Sequence, residues 1–575
     1  MPTDLRPTVS SFELAQEPTT RRRGITTLTV DIPSSHHPQA KEAHHSPARW
    51  KSPEFILYAI IFCVVVPIMI WIPMRLSSPS HRNYVQYNRR LSPGWMFGRR
   101  VDNSDAQYRS FRNNMFSLVL LAGVFLGAKL VYTSSIRRLW SRPASDRTYL
   151  VPFLCMFSVL MLAGLHGTSA IKIIAILSMN YAIGKTCRGS KLGPTLTWLF
   201  NAGILYTSER AEGYRFEILH SSLGFLDSIP GIYPRWHVSF NITALRLISF
   251  NLDYHWACNG VGTASWVKSD STMTEKQRKT TAHPLERYSY ANFFAYVLYP
   301  PLYIAGPIMT FNDFVWQLHR PAPVSLRGTL SYLFRFLVCF LTLEFILHFM
   351  YVVAIKDTKA WAGDSAAELC MIGFWNLIVV WLKLLIPWRF FRLWALADGM
   401  DPLENMVRCM ANNYSTLGFW RSWHRSYNLW IVRYIYVPLG GTNNVVFATL
   451  IIFSFVALWH DLSFRLLAWG WLVSLFILPE LIARYLLSPT KYGSRWWYRH
   501  VCAVGAVLNI LMMMAANLVG FVIGIDGISY MLHQLTDTWE GLRFLAFACA
   551  CLFVGAQIMF EYREEELRCG IVRRC

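Results

Sequence analysis

Residues 55–74 read FILYAIIFCVVVPIMIWIPM, and this stretch decides the class of the molecule. A run of about 20 residues without a charge, rising ~1.5 Å per residue as a helix, crosses a hydrocarbon layer of roughly 30 Å, and prolines are tolerated inside it. It is too long, and begins too far along the chain, for a secretory signal. Working outward, apolar runs recur at 115–132, 150–165, 168–183, 195–206, 288–308, 331–355, 369–388, 445–459, 466–478, 501–523 and 542–560. Several are shorter than a full span, and short apolar pieces point to re-entrant or broken helices, whose backbone survives at depth only where protein or a water-filled cavity surrounds it. The expected fold is an all-α polytopic membrane protein with about 10–12 transmembrane or re-entrant helices around an internal tunnel. Residues 1–50, rich in Pro, Ser, Thr, His and Arg, form a basic tail expected to be disordered, and 51–575 form the membrane domain.

Composition agrees with this division, since 54% of the 575 residues are apolar and only 15% are charged. The net charge of +21 raises nucleic acid as a partner. No zinc-finger spacing or other nucleic-acid motif accompanies it, however, and the basic residues flank apolar runs, so no nucleic-acid partner is expected and membrane lipids with anionic headgroups fit better. Between Arg75 and Asn114 lie Arg75, Arg82, Arg89, Arg90, Arg99, Arg100, Arg109 and Arg112, a loop the positive-inside rule would place in the cytosol, but Arg49 and Lys51 ahead of the first span leave the orientation weakly specified. The twelve cysteines are scattered, with no CxxC pair, and read as small packing residues. His36-His37 and His44-His45 read as parts of a solvated tail, and the last four residues do not fit a prenylation box. No GxSxG elbow, HExxH helix, GxxxxGK[ST] loop or GxGxxG turn is present. An HxxxxD acyltransferase box, clustered HxxxH boxes and an NPA pair are missing as well. No metal site or bound cofactor is expected.

What remains is polar groups stranded in apolar text, functional candidates by default because they are costly there. His460, in FSFVALWHDLSF, sits between two apolar runs. An imidazole is the common base near neutral pH, and an alcohol attacking an already activated thioester needs a base, alignment and an oxyanion donor, but no protein nucleophile. His460 is assigned as that base, with Trp459 helping to keep it dry; Asp461 either orients it or faces solvent. His424 lies in FWRSWHRSYNLWIVRYIYVPLGG. If Phe419 to Tyr436 is one helix, then Trp420, His424, Asn428 and Ile431 share a face beside that of Arg421, Arg425 and Leu429. Arg421, Arg425 and Arg433 are then placed to meet phosphates or headgroups. An interfacial amphipathic helix with a chemically idle histidine is the competing account of this stretch.

WRSWHRSYNLWIVRYIYVPLGG, followed by an apolar helix ending in LWHD, resembles the paired motifs of membrane-bound O-acyltransferases (MBOAT). The likeness extends from about residue 50 to the C-terminus and is nearest the fungal glycerol-uptake-protein branch. It runs through NRRLSPGWMFGRRVDNSDAQYR, AHPLERYSYANFFAYVLYPPLYIAGPIMTFNDF, WLKLLIPWRFFRLWALADGMDPLENM and IMFEYREEELRCGI. The resemblance implies the MBOAT fold, long-chain acyl-CoA as co-substrate, and a lipid acceptor entering from the other side of a tunnel. It implies His460 as catalytic base and His424 as the second catalytic residue, on the thioester. Asn428, Trp420, Arg421, Arg425 and Trp459 are the expected substrate-binding residues. It further implies remodelling of glycosylphosphatidylinositol (GPI) anchors, with a lyso-GPI as acceptor, in the endoplasmic reticulum membrane, the plasma membrane being a second location.

A glycerol or polyol transporter working by proton symport is the alternative from another class. It would use Glu344 and His348, four apart on one helix face, as a relay; otherwise they form a structural pair. Lys383 is expected to snorkel to the interface, and Gly306-Pro307 to break a helix. Asn241-Ile-Thr and Asn413-Tyr-Ser fit the glycosylation pattern, the second lying close to the expected active segment.

Overall fold

The computed structural model describes residues 47–139, 146–218, 220–262, 273, 275–320, 324–460 and 464–573. The tail 1–50 lies outside the described residues apart from 47–50, as do its histidine pairs and Asp461. The long helices are α1 (Pro53–Leu76), α2 (Met115–Leu139), α3 (Val151–His166), α4 (Ser169–Cys187), α5 (Leu192–Arg210), α6 (Trp236–Cys258), α7 (Leu326–Phe349) and α8 (Ala366–Ala397). Two short helices come next, α9 (Thr416–Ser422) and α10 (Arg425–Ile431), and then α11 (Val445–His460), α12 (Phe464–Leu486), α13 (Tyr498–Asn517) and α14 (Trp539–Arg568). Among the described residues nine helices are long and apolar enough to cross a membrane, namely all of these except α5, α6, α9, α10 and α11. The only sheet among the described residues is a hairpin of β1 (Leu91–Pro93) and β2 (Arg100–Asp102), with Leu91 opposite Asp102.

Several of the helices begin where the sequence offers a side-chain oxygen to the unpaired N–H groups of a first turn. Ser52 caps α1, Ser325 caps α7 and Thr538 caps α14. Ser365 and Glu368 form a reciprocal capping box on α8.

Two predicted spans are broken instead. Residues 288–308 fold as Tyr290–Val297 and Pro300–Tyr303, because Pro300 and Pro301 restart the backbone after a single turn of coil, and Gly306-Pro307 ends the segment as expected. Residues 331–355 end as α7 at Phe349, and Val352–Thr358 is a separate helix.

One long helix is not foreseen by the apolar runs. α6 carries Thr243, Arg246, Asn251 and Asp253, which interrupt hydrophobicity in the sequence, yet all four are buried. Arg246 donates to the carbonyls of Val297 and Leu302, the helix-end acceptors left by the break at Pro300. Asp253 pairs with Arg433 at 2.7 Å. The polar residues that hide α6 from a hydropathy reading are therefore what join it to the broken helices beside it.

The arginines of the 75–114 loop are largely committed within the protein rather than free for headgroups. Arg112 pairs with Glu344 at 3.0 Å, Arg75 with Glu368, Arg82 with Asp364 at 3.3 Å and Arg90 with Asp357 at 3.7 Å. Glu344 also accepts from the Trp95 indole at 2.8 Å and the Tyr108 hydroxyl at 3.0 Å. His348 contacts the Glu344 carbonyl through Nδ1 at 2.7 Å, and its Nε2 accepts from the Trp95 amide at 3.3 Å. These contacts give Glu344 and His348 the structural role of anchoring the loop to α7. Lys383 does not snorkel: it binds Asp105 at 2.6 Å, because that carboxylate caps the neighbouring helix Ala106–Asn113 within its reach.

At the C-terminal end α14 turns a charged face inward. Arg408 makes two hydrogen bonds to Glu566, at 3.0 and 2.6 Å, and Arg573 joins the same carboxylate, all three side chains being no more than 2% exposed. Removing one member of a buried ion cluster strands the others, so Glu566→Ala should destabilise the protein by about 3–5 kcal/mol. The check is thermal unfolding in detergent, where Glu566→Ala should melt well below the wild type.

Candidate active site

The segment from Phe419 to Tyr436 is not one helix. α9 stops at Ser422, and His424 adopts the left-handed conformation (φ 43°, ψ 52°) before α10 starts at Arg425. For a non-glycine residue this costs roughly 1–2 kcal/mol, and such strain persists where the surroundings over-determine it. Here Asn405 supplies the determination. Its carbonyl accepts from the Arg425 amide at 2.9 Å, and its Oδ1 accepts from the Ser426 amide at 3.1 Å. The Ser426 hydroxyl in turn accepts from the Ile308 amide at 2.9 Å.

Asn405 is itself fixed by charges at the end of α8. Its neighbour Glu404 accepts from Tyr332 at 2.6 Å and lies 3.7 Å from both Arg389 and Arg392, while Arg392 also holds Asp401 at 2.8 Å. The loop 401–408 is thus an anchored support for the His424 turn. Beyond α10 the backbone widens into a π-helix, Val432–Tyr436, a rare form that recurs at functional sites. Past it come Gly440 and Gly441, both at positive φ, which turn the chain into α11.

His460 is reached differently. α11 and α12 pack against one another, with Gly470 close against the Phe453 backbone and the Trp471 indole donating to Ser454 at 3.1 Å. Phe453 and Gly470 lie about equally far along the chain from the connection between the helices, so the two form a hairpin with His460 at the end of its first arm. Trp459 is locked to α6 from both sides. Its indole donates to the Asn241 carbonyl at 3.1 Å, and the Asn241 side-chain amide donates to the Trp459 carbonyl at 3.3 Å, one of the acceptors α11 leaves open at its C-terminus. Asn241, in a glycosylation-type triplet, is thereby engaged inside the protein.

Both histidines line one cavity of about 1920 Å³. The His424 ring stacks on Trp388 (4.5 Å between centroids, 20° between planes) and lies 5.3 Å from Tyr427; Tyr427 stacks on Trp459 at 4.6 Å, and Trp459 meets His460 edge-on at 4.8 Å. A continuous aromatic series therefore joins the two imidazoles. Trp388 comes directly after Pro387, which lacks the N–H that would bond the Lys383 carbonyl within α8. The rest of the wall is mainly apolar and comes from α1, α8, α11, α12, α13 and α14, including Met512, Met513 and Met514.

Of the residues expected at the site, His424, His460, Trp420, Arg421, Asn428 and Trp459 all line this cavity. Arg425 does not; it turns to Glu275, 3.3 Å away, on a short helix (Glu275–Thr280). Arg433 likewise pairs with Asp253 rather than facing a phosphate. Glu344 and His348 are not among the residues that line this cavity. Asn405, Glu404, Asn241, Trp388 and Tyr427 are the contributors that sequence reasoning missed. All but Asn241 lie in stretches that carry the family resemblance, yet no spacing or stranded charge sets them apart there.

Known proteins resemble this chain over most of its length. Residues 227–525, which enclose both histidines, match the model of MBOAT, the membrane-bound O-acyltransferase family. The chain is 46% identical over 537 residues to Membrane-bound O-acyltransferase GUP1 of Candida tropicalis, covering 92% of this chain and 90% of that protein. The chain belongs to the membrane-bound O-acyltransferase family. It is equally similar, 46% over 541 residues, to Membrane-bound O-acyltransferase GUP1 of Saccharomyces cerevisiae, covering 92% and 94% of the two chains. A more distant likeness, 29% over 255 residues, joins it to the Protein-cysteine N-palmitoyltransferase HHAT of Mus musculus, covering 40% of this chain and 50% of that protein. As a membrane-bound O-acyltransferase the protein is a multi-pass membrane enzyme that moves acyl groups.

The role of Asn405 is open to measurement. Asn405→Ala removes the Ser426 acceptor and should cost about 1–3 kcal/mol in stability, because that buried amide loses its partner. Asn405→Asp, which keeps the oxygen, should retain more of the wild-type melting temperature and of acyl transfer than Asn405→Ala does.

Proposed function

We propose that the enzyme transfers a long-chain acyl group from acyl-CoA to a hydroxyl of a lipid acceptor, most specifically a lyso-GPI, in the endoplasmic reticulum membrane. The observation that carries this reading is that two histidines from separate elements share one large, mainly apolar cavity. An apolar chamber suits fatty chains, and two imidazoles suit proton transfer at one reacting carbonyl.

In this reading the acceptor hydroxyl gives its proton to the His460 imidazole as its oxygen bonds to the thioester carbonyl carbon. The carbonyl oxygen becomes an oxyanion, to which a ring N–H of His424 donates. The tetrahedral carbon then expels the CoA thiolate: the C–S bond breaks, the C–O ester remains, and the proton on His460 passes to the departing sulfur. The chain itself forms no covalent intermediate. Trp388, stacked on His424, and Asn241, bonded to Trp459, hold the two rings in place. Arg421, exposed on the cavity wall, is the cation offered to the phosphates of the donor. The lyso-GPI assignment draws on the likeness to the fungal proteins.

The test is transfer of labelled long-chain acyl groups from acyl-CoA to lyso-phosphatidylinositol-type acceptors by the purified protein in lipid. His460→Ala should lower turnover by about 10²–10⁴-fold, the usual contribution of a positioned base. His424→Ala should lower it by about 10²–10³-fold, as for loss of an oxyanion donor. Unchanged transfer by His460→Ala rejects the base assignment. Glycerol uptake into proteoliposomes with no acyl transfer to any lipid would reject the enzymatic reading in favour of transport. In the same assay Arg421→Ala should raise the KM for acyl-CoA while leaving kcat near wild type.

A further inference from the structure

α12 carries a carboxylate that its apolar surroundings do not account for. Glu480 comes after Pro479, is 6% exposed, and lies between Leu478 and Leu481, which both line the cavity. An ionised side chain in such a helix is costly and calls for an explanation in function or in a partner. Arg484, one turn along the same helix, contacts Glu480 at 2.7 Å, but its side chain is 60% exposed. That pair alone would satisfy the charge at the helix surface. Both oxygens of Glu480 reach further, across to the start of α9. Oε1 accepts from the Ser415 hydroxyl at 2.6 Å, and Oε2 accepts from the Leu417 amide at 3.2 Å. Ser415 is the cap of α9, accepting from the Gly418 amide at 2.9 Å, so Glu480 holds both the cap and one of the unpaired first-turn amides.

The two ends of this contact belong to the two halves of the site. α12 is the second arm of the hairpin whose first arm ends at His460, and α9 leads through Trp423 directly into the left-handed turn at His424. Beside it the halves meet through Arg484, which donates to Ser415 Oγ at 3.4 Å, and ring against ring, where Trp420 meets Trp469 at 5.4 Å and Phe453 at 6.0 Å. Aromatic faces slide at small cost, whereas paired hydrogen bonds to a carboxylate are short and directional. We propose that Glu480 is a positioning residue for acyl transfer, fixing the register between the element that presents His424 and the hairpin that presents His460. The proposal rests on the reading that these two histidines act at one carbonyl. Glu480 touches neither substrate nor reacting atoms; it acts through α9.

The experiment compares wild type, Glu480→Ala, Glu480→Gln and His460→Ala for acyl transfer, and by hydrogen–deuterium exchange of the full-length protein in lipid nanodiscs. Glu480→Ala should lose about 10²-fold in kcat, the scale of a misplacement of ~1 Å, with the KM for acyl-CoA little changed. Its exchange should rise across 415–424 and stay as in wild type along α12 and α13. Glu480→Gln should recover most of the lost turnover and the local protection, since its amide oxygen still accepts from Leu417 and its NH₂ still meets Ser415. Wild-type turnover in Glu480→Ala, with His460→Ala inactive, overturns the proposal while leaving the site intact. Loss of protection spreading through α12 and α13, with no recovery in Glu480→Gln, overturns it in favour of a purely structural role. Full activity in His460→Ala refutes the shared-site reading itself, and the proposal with it.

Discussion

A charge taken out of water must be paired, and among the described residues several such pairings tie a connecting segment to a helix long and apolar enough to cross a membrane. Glu344 on α7 gathers Trp95, Tyr108 and Arg112. The Asp398 carboxylate, just past α8, gathers Lys129 and Tyr299, and Arg147 donates to the same residue's backbone carbonyl. Glu404 is held among Tyr332, Arg389 and Arg392. Glu566 on α14 takes Arg408 and Arg573. The penalty for leaving one partner behind is several times that of an ordinary hydrogen bond. The connecting segments therefore have few alternatives, although most are irregular and could not hold their own shape.

The two imidazoles stand apart from that pattern. Among the described residues His424 and His460 contact aromatic rings rather than hydrogen-bonding partners, and both face the cavity. His166, by contrast, is committed through both ring nitrogens, to the Tyr233 carbonyl and the Tyr303 hydroxyl. Uncommitted nitrogens beside an apolar chamber suit proton transfer, and the backbone around both rings is tied by hydrogen bonds to other parts of the chain. The strain at His424 is sustained by Asn405, and the end of α11 is closed by Asn241.

The membrane class and most of the spans are legible in the sequence because an apolar run of a given length has few other uses. His460 is legible for the converse reason, as a polar residue where hydrophobicity should continue. α6 is not, because its polar residues look like solvent-facing ones until their partners on the broken helices and on the π-helix are known. The face shared by Trp420, His424 and Asn428 is recovered at the cavity, though through a reversed turn rather than an unbroken helix. Arg425 and Arg433 are misplaced by the same helical assumption, since one residue in the left-handed region and one π-turn re-aim the side chains beyond them. Asn405 and Asn241 give no local sign of their roles: each acts on a residue far along the chain.

The brevity of α11 reaches beyond the protein. Its 16 residues extend about 24 Å at 1.5 Å each, some 6 Å less than the ~30 Å hydrocarbon layer. Phe447 and Leu458, exposed at either end of it and not part of the cavity wall, face outward. Lipids bordering a helix that is too short compress to match it. A lone helix of that length would bring polar headgroups nearer one of its ends, and His460 stands at the C-terminal end of α11.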